Sequence, residues 1–242
     1  MAIPTNTGVL AQLSQSILDY RDAPRVREAH DLLLECLGEG EVESFESFQG
    51  TVSPATDSAI VPIMLCATLT GRVEGLVMGA YLRNLNIGML LYSAVRERYR
   101  SRGVYTRLRA ELMALLASEA ASSRTGDAGS PGRLGGVLSE LDSRSPLGRK
   151  YVREWGAFVL PCDYEVPAAQ GLTASKMDLL MQPVSRRSPP PAEEIVVIVR
   201  EIYERVYRLE SADTSASFRR VVQSVRTPTA PDPAVAANDG DR

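Results

Sequence analysis

The sequence predicts an α/β (α+β) protein in which a mixed, mostly antiparallel central sheet is flanked by helices and followed by a C-terminal helical extension. Three apolar segments between residues 59 and 95 are separated by short turns, which is typical of an antiparallel meander. A helical pattern and an apolar segment at 134–141 follow, and such a strand–helix–strand crossover returns the last strand parallel to the first. A separate amphipathic pattern at 193–209 predicts the extension.

Helices are predicted before the sheet. Apolar residues recur at helical spacing in 8–20, which predicts a first helix there. A second helix is predicted over 24–37, with a proline in its first turn and Gly38 at its end. The acidic segment 41–57 is irregular, with a short helix expected around 43–48.

The strands of the meander are predicted at 59–70, 73–82 and 87–95. Thr70 and Gly71 form a hairpin turn between the first two strands, and 84–86 form the second turn. The remaining elements are predicted as a helix at 104–121, a polar glycine-rich loop at 122–133, a strand at 134–141, a helix at 145–155, and strands at 157–161 and 177–184.

A C-terminal extension follows residue 184. Residues 185–192 are predicted to be a linker, and 193–209 and 216–225 to be helices. We expect these helices to cover the domain or to form a dimer contact rather than to take part in catalysis. Residues 226–242 are rich in Pro, Ala and Asp, a composition typical of disorder.

Composition excludes several classes of function. The net charge is −3 over 242 residues, so no overall positive charge favours nucleic acid. No apolar run approaches the roughly 20 residues that cross a bilayer, and the N-terminus lacks a signal-peptide pattern. The three cysteines match no disulfide or metal-ligand spacing, which favours a reducing compartment. We therefore expect a cytoplasmic protein that binds neither nucleic acid nor membrane and uses no metal.

The most informative segment is 95–108, with the sequence VRERYRSRGVYTRL. It joins a predicted strand to a predicted helix and carries five arginines around Gly103. The free N–H groups and the dipole of a helix start favour an anion, and guanidinium groups beside them add positive charge. The segment therefore predicts a site for a small anionic ligand such as a phosphate.

This segment resembles the acyl-CoA-binding signature of the GNAT acetyltransferase superfamily. Val95 ends a strand, Arg100 follows five residues later, and Gly103 occupies the position of a signature glycine. The sequence departs from the family pattern at three positions, namely Glu97, Ser101 and Tyr105. The resemblance extends over residues 20–184 through the order of elements. YVREWGAFV at 151–159 resembles an aromatic-x-x-x-Gly-Phe element, but it is out of step by one residue on each side of Gly156, with an extra Ala157 before Phe158.

The resemblance implies a GNAT-like acyl-CoA-binding domain over 1–184 and an acetyl-CoA-dependent N-acetyltransferase. Acetyl-CoA would be the cosubstrate, and a primary amine would attack the thioester directly. Two alternatives stay open. One is a GNAT-like module that binds acyl-CoA or a partner without turnover, and the other is an acyltransferase that uses longer acyl-CoA or an acyl-carrier protein.

The resemblance also implies which residues bind acyl-CoA. The strand around residues 93–95 would pair with pantetheine as another strand would, and the Val95 N–H would face the thioester oxygen. The turn that follows would hold the pyrophosphate through its backbone N–H groups. The implied acyl-CoA-binding residues are Ser93, Ala94, Val95, Arg100, Ser101, Arg102, Gly103, Val104, Tyr105 and Thr106.

Catalysis would require an acid for the leaving thiolate and a base for the amine. The resemblance implies a tyrosine acid, for which Tyr151 is the first candidate and Tyr164 the alternative. Glu140 lies in an otherwise apolar strand, where burial would raise its pKa, so it is the candidate base. Glu74 and a water chain are alternatives for that role.

Little in the sequence describes the acceptor. The resemblance places acceptor recognition in 24–57 and 83–87. The acidic segment 39–46 either attracts a cationic amine or forms a solvated loop. His30 is the only histidine and lies beside an apolar helix face, so we expect a structural role, which leaves no Ser-His-Asp or Cys-His arrangement.

Overall fold

The computed structural model describes residues 13–53, 59–123, 132–186 and 188–226. The strands are β1 (Ser14–Ile17), β2 (Ile60–Leu69), β3 (Arg72–Leu82), β4 (Ile87–Val95), β5 (Gly136–Leu141), β6 (Phe158–Val159), β7 (Glu165–Val166), β8 (Ser175–Lys176) and β9 (Asp178–Pro183). The α-helices are α1 (Ala23–Leu37), α2 (Phe45–Val52), α3 (Val104–Ser122), α4 (Pro146–Trp155), α5 (Ala192–Glu201) and α6 (Ala216–Arg226).

Seven strands form one sheet in the order β1-β2-β3-β4-β5-β9-β6. The β2–β3–β4 meander is antiparallel, β4 and β5 are parallel, and β5–β9 and β9–β6 are antiparallel. The fold class predicted from the sequence is therefore confirmed. Thr70 (φ 49°) and Gly71 (φ 83°) make the predicted hairpin turn, because a two-residue turn of this hand needs positive φ at both positions. The separate β7–β8 ribbon has no counterpart in the predicted elements.

The prediction of a helix over 8–20 is wrong where the structure describes that segment. Ser14–Ile17 is an edge strand that pairs antiparallel with Leu65–Thr68. Ile17, which the helical pattern counted as core, is 62% exposed, whereas Leu13 and Leu18 on either side of the strand are buried. The open edge of β2 supplies hydrogen-bond partners that an isolated short helix cannot match. Residues 8–12 lie outside the described ranges.

The short helix predicted around 43–48 is displaced toward the C-terminus. Ser44 is its N-cap and accepts a hydrogen bond from the Ser47 N–H at 3.3 Å, so α2 begins at Phe45. Glu43 consequently lies in the loop before α2, where it faces the interior. The other predicted helices and strands agree with the structure to within a few residues.

Helix α3 lies very close to the sheet because three glycines face it. A Cβ on Gly75 would lie 2.9 Å from Val104 Cγ1, and one on Gly79 would lie 3.0 Å from Leu112 Cδ2. A Cβ on Gly88 would lie 2.7 Å from Leu116 Cδ1. Helices α3 and α4 cover this face of the sheet, while α1, α2, α5 and α6 cover the other.

Strands β4 and β5 separate after a short paired region. Gly88–Leu90 of β4 pairs with Val137–Ser139 of β5, and the pairing ends there. On its other side, β4 has a bulge against β3 between Leu90 and Tyr92, which pair with Gly79 and Met78. Beyond Leu90, β4 continues along β3 while β5 continues along β9. The two central strands therefore leave a gap between their C-terminal ends.

The C-terminal extension packs on the second face of the same sheet. Apolar side chains of α5 and α6, including Ile198, Val199 and Phe218, are buried against Leu138 and Met181 of the sheet. A π-helical turn, Ile202–Val206, follows α5 directly. The tail predicted to be disordered lies outside the described residues except for Arg226, which ends α6. Within the described ranges, no helix has the length and apolar content of a membrane span.

Candidate functional site

The turn between β4 and α3 presents an open helix N-terminus. Gly103 is the N-cap of α3, with φ 82° and ψ 1°. Within the described residues, no side chain makes a hydrogen bond that caps this helix start. Ser101 and Gly103 are exposed, and Ser101 also has a positive φ of 57°. Val104 buries its side chain under α3, so only its backbone is available to a ligand. Because the first N–H groups of a helix have no partner inside it, those at the start of α3 are available to a ligand.

The arginines of the turn have different environments. Arg96 is 8% exposed, with Nε 3.3 Å from the Val73 carbonyl oxygen and 3.3 Å from a carboxylate oxygen of Glu74. It also pairs with Glu35 of α1, and Arg98 donates to Glu74 Oε1 at 2.5 Å. These two arginines therefore fasten the turn to β3 and α1 rather than project beside its amides. Glu74, an alternative base, is 2% exposed and is bound in these ion pairs.

Arg100 and Arg102 remain beside the amides. Arg100 is exposed, and its Nε donates to the Val95 carbonyl oxygen at 3.0 Å. Arg102 is half-buried, and Thr106 is exposed in the first turn of α3. Positive charge thus accompanies the open helix start, although fewer arginines contribute than the sequence suggested.

The end of β4 presents backbone groups to the gap between β4 and β5. The Arg96 N–H donates to the Glu74 carbonyl oxygen at 3.0 Å, toward β3. Because N–H groups alternate in direction along a strand, those of Ser93 and Val95 point away from β3, where β5 no longer pairs. The backbone groups of Ala94 point toward β3, and its side chain is buried. The gap and the turn are consecutive in the chain, because the turn begins where β4 ends.

A cavity of about 90 Å³ lies on the α1–α2 face of the sheet, beside this gap. Glu140 of β5 lines it and is half-buried, and its carboxylate accepts hydrogen bonds from two tyrosines. Tyr164 donates to Oε1, and Tyr207 donates to Oε2 at 2.7 Å. Burial raises the pKa of Glu140 above its usual value, while the two tyrosine hydroxyls oppose that rise. Glu140 therefore has the environment of a candidate proton acceptor.

Glu43 is a second carboxyl group in the cavity wall. It is 3% exposed and accepts hydrogen bonds from Ser47 Oγ at 2.6 Å and Thr51 Oγ1 at 3.0 Å. Burial raises its pKa as well, against the effect of these hydroxyls. The neighbouring Glu39, Glu41 and Glu46 are exposed, so the acidic segment is a solvated loop with one inward carboxyl group.

His30 is structural, as its position in the sequence suggested. It is 4% exposed, and its Nε2 lies 2.9 Å from the Glu43 carbonyl oxygen. Its ring packs against Phe45 and Phe48, with centroids 5.4 and 5.3 Å away. It thus supports the loop that carries Glu43.

Tyr151 lies on the opposite face of the sheet from Glu140. It is 2% exposed, and its ring packs against Trp155 with centroids 4.6 Å apart. Its hydroxyl lies 2.8 Å from the Tyr105 hydroxyl, so the Tyr105 side chain points from the first turn of α3 into the core. Burial raises the pKa of Tyr105. The two predicted catalytic residues are therefore separated by the sheet, on either side of the gap.

The sequence analysis missed Tyr207 and Gln170. Tyr207 lies in a segment that reads only as an amphipathic helix, and Gln170 lies in a loop without a motif. Both depend on contacts between distant parts of the chain, so no local pattern marks them.

The comparisons with known proteins concern the fold. No family model matches the sequence, and no curated protein matches it either. Solved structures do match. A protein described as a GNAT-family acetyltransferase from Bacteroides thetaiotaomicron superposes with a TM-score of 0.57 at 11% identity, covering 81% of this chain and 99% of that chain.

Two further structures give the same result. The NatC complex bound to Gag peptide and CoA matches with a TM-score of 0.51 at 12% identity, covering 72% of this chain and 99% of the other. A protein described as an acetyltransferase from Acinetobacter baylyi ADP1 matches with a TM-score of 0.51 at 9% identity, covering 74% and 96% of the two chains. The chain thus has the GNAT fold.

Proposed function

We propose that this protein is an acetyl-CoA-dependent N-acetyltransferase that transfers the acetyl group to a primary amine by direct attack. One observation carries the proposal: the gap between β4 and β5 opens at the end of β4, directly before the turn that leads to the uncapped N-terminus of α3 at Gly103. Acetyl-CoA carries its thioester on a long pantetheine arm that is attached to a pyrophosphate. It therefore needs a gap for the arm next to a helix N-terminus for the pyrophosphate. The GNAT fold adds support, since the NatC complex that shares it was solved with CoA.

Residues of the turn fit the pyrophosphate of acetyl-CoA. The amides of 101–106 would supply hydrogen-bond donors, whereas the Arg100 N–H already donates to the Glu97 carbonyl oxygen at 3.0 Å. The dipole of α3 favours the negative charge. Gly103 lacks a Cβ that would obstruct close approach, and Arg100 and Arg102 add positive charge nearby. The backbone of Ser93 and Val95 would pair with the pantetheine arm, and the Val95 N–H would polarise the thioester carbonyl.

The acceptor amine would enter the cavity that Glu140 lines. Glu140 would accept the proton that the ammonium form of the amine loses. The nitrogen lone pair would then form a bond to the thioester carbon, and the C–S bond would break, so that CoA would leave as the thiolate. The acylated nitrogen would release its second proton to solvent. Tyr151 is the candidate donor of the proton that this thiolate takes up, and Tyr105 shares its hydrogen bond. No covalent bond to the protein forms in these reaction steps.

A binding module without turnover is the second candidate. It is favoured by the burial of Tyr151, whose hydroxyl lies in an aromatic cluster with Tyr105 and Trp155. An acyl-carrier protein as acyl donor has less support, because Arg96 and Arg98 are bound in ion pairs with Glu74.

Two measurements test the proposal. We expect acetyl-CoA and CoA to raise the thermal melting temperature, and thiol release from acetyl-CoA to depend on an added primary amine. Glu140→Gln should slow that release by about 10²–10⁴-fold because it removes the proton acceptor, while the melting shift with acetyl-CoA persists. Because burial raises the pKa of Glu140, the acid limb of kcat/KM should lie above the pH at which an ordinary glutamate ionises.

The outcomes separate the candidates. A melting shift without thiol release for any amine would favour the binding module. A shift with long-chain acyl-CoA only would favour the longer acyl donor. No shift with any of these compounds would overturn acyl-CoA binding altogether.

A further inference from the structure

The C-terminal extension reaches the candidate base. The π-helical turn Ile202–Val206 follows α5, and the Tyr207 N–H donates to the Ile202 carbonyl oxygen at 3.0 Å. Such turns insert one residue into a helix and redirect the side chains that follow, and they are frequent at functional sites. Tyr207 is 8% exposed, and its hydroxyl lies 2.7 Å from Glu140 Oε2.

Tyr203, one turn earlier in the same segment, has a different partner. Its hydroxyl donates to the backbone carbonyl oxygen of Glu165, and its ring lies 6.3 Å from that of Tyr207. Both tyrosines are buried in one aromatic cluster, yet only Tyr207 contacts the Glu140 carboxylate. Tyr207 is therefore the residue to test, and Tyr203 is its matched control, because the Tyr203 hydroxyl bonds to the backbone and not to Glu140.

Hydrogen bonds through Gln170 also connect Tyr207 to the start of α2, on the other side of the cavity. Gln170 Nε2 donates to the Tyr207 carbonyl oxygen at 3.0 Å. Gln170 Oε1 accepts from Ser47 Oγ at 2.9 Å, and the Gln170 carbonyl oxygen accepts from the Ser44 N–H at 3.1 Å. The extension, the loop that carries Gln170 and the start of α2 are thus linked around the same cavity.

We propose that Tyr207 is a positioning residue that holds the Glu140 carboxylate toward the cavity and makes the C-terminal extension part of the acceptor site. This inference rests on the proposed function, because it requires that Glu140 act as the base. Tyr164 fixes Oε1 and Tyr207 fixes Oε2, so each carboxylate oxygen has one hydroxyl donor. A carboxylate held in this way has a defined orientation toward an incoming amine.

The hydroxyl of Tyr207 also affects the ionisation of Glu140. A donor to the ionised form favours that form and opposes the effect of burial. The pKa values of Tyr164, Tyr203 and Tyr207 are themselves raised by burial, so these groups stay neutral donors at neutral pH. Among the described residues, the titratable groups around Glu140 are Tyr92, Tyr164, Tyr203, Tyr207, Glu41 and Glu43.

The test compares Tyr207→Phe with Tyr203→Phe in the full chain. With glutamate labelled with ¹³C at its carboxyl carbon, the Glu140 signal is assigned by its loss in Glu140→Gln. In Tyr207→Phe we expect the Glu140 titration to move to higher pH by about one to two units, because one hydrogen bond to the carboxylate is lost. In Tyr203→Phe it should not move. The acid limb of kcat/KM for acetyl-CoA and an accepted primary amine should shift by the same amount in Tyr207→Phe only.

Thermal melting of both variants checks that they fold. If Tyr207→Phe does not fold, Gln170→Ala provides the second variant, since it removes the anchor of Tyr207 and should give a smaller shift in the same direction. Equal titration of Glu140 in both tyrosine variants would overturn the inference. Absence of thiol release from the wild type would instead overturn the proposed function, while the carboxyl titration still reports whether Tyr207 holds Glu140.

Discussion

At the scale of single residues, backbone conformation explains where the sequence departs from the GNAT signature. Ser101 stands where glycine is common in that family, and it has φ 57°, a conformation that costs a residue with a Cβ about 1–2 kcal/mol. Tyr105 stands where a small residue is usual, and it turns its side chain into the core to meet Tyr151. Both departures are accommodated without closing the turn, because Ser101 and Gly103 stay exposed and no described side chain caps the start of α3.

Gly103 provides a test at this scale. Gly103→Glu places a negative side chain at the helix start, and we expect it to abolish the melting shift with CoA. Gly71→Glu is the matched control, because Gly71 has nearly the same φ (83° against 82°) and lies in the β2–β3 hairpin turn. Both variants carry similar backbone strain, so both should lose comparable stability. A CoA shift retained in Gly103→Glu, or lost equally in Gly71→Glu, would contradict the assignment of the turn.

At the scale of elements, the position of α3 depends on the glycines of β3 and β4. The helix carries the open N-terminus, and its distance from the sheet sets where that N-terminus lies relative to the gap. Gly75 and Gly79 are four residues apart on β3, so they lie on one face and allow α3 to approach along its length. Helical periodicity predicts the helix, but it does not predict this distance.

Gly79→Ala tests that packing. Its Cβ would lie 2.7 Å from the Met89 carbonyl oxygen and 3.0 Å from Leu112 Cδ2, so we expect a loss of about 1–3 kcal/mol in the free energy of unfolding. Gly135→Ala serves as the control, because its Cβ would lie no closer than 3.4 Å to the nearest atom. Urea denaturation of both variants measures the difference. Equal stability of the two would show that α3 does not depend on this close approach.

At the scale of the whole molecule, the C-terminal extension completes the second face of the sheet. The sequence predicted its helices and favoured a packing role, and the structure places their apolar side chains in one cluster with β4, β5 and β9. The extension is thus both a cover for the core and, through Tyr207, a wall of the cavity. The C-terminal extension therefore contributes both to the stability of the fold and to the candidate site.

Neighbouring positions of α5 test that cover. Ile198 is fully buried, whereas Val197 is 48% exposed. Ile198→Asp should lower the free energy of unfolding by at least about 3 kcal/mol, because an unpaired carboxylate would enter the core. Val197→Asp should change it by less than about 0.5 kcal/mol, as is usual for surface positions. Similar small effects in both variants, measured by denaturation, would indicate that the extension does not pack on the sheet.

The sequence by itself determined the meander, the crossover to β5 and the strand–turn–helix segment around Gly103. These features follow from local patterns: period-two and helical spacing, turn residues, and an arginine-rich turn. The pattern misled for Ser14–Ile17, because pairing with β2 outweighs a weak helical spacing.

Only the tertiary structure decided which charged groups are available. It placed Arg96 and Arg98 on Glu74, turned Glu43 inward, and set Glu140 between Tyr164 and Tyr207. Tyr207 and Glu140 are 67 positions apart, and their contact arises from the way the extension crosses the sheet. Local periodicity carries no information on such contacts, because only chain folding brings Tyr207 and Glu140 together, and burial then raises the pKa of both groups.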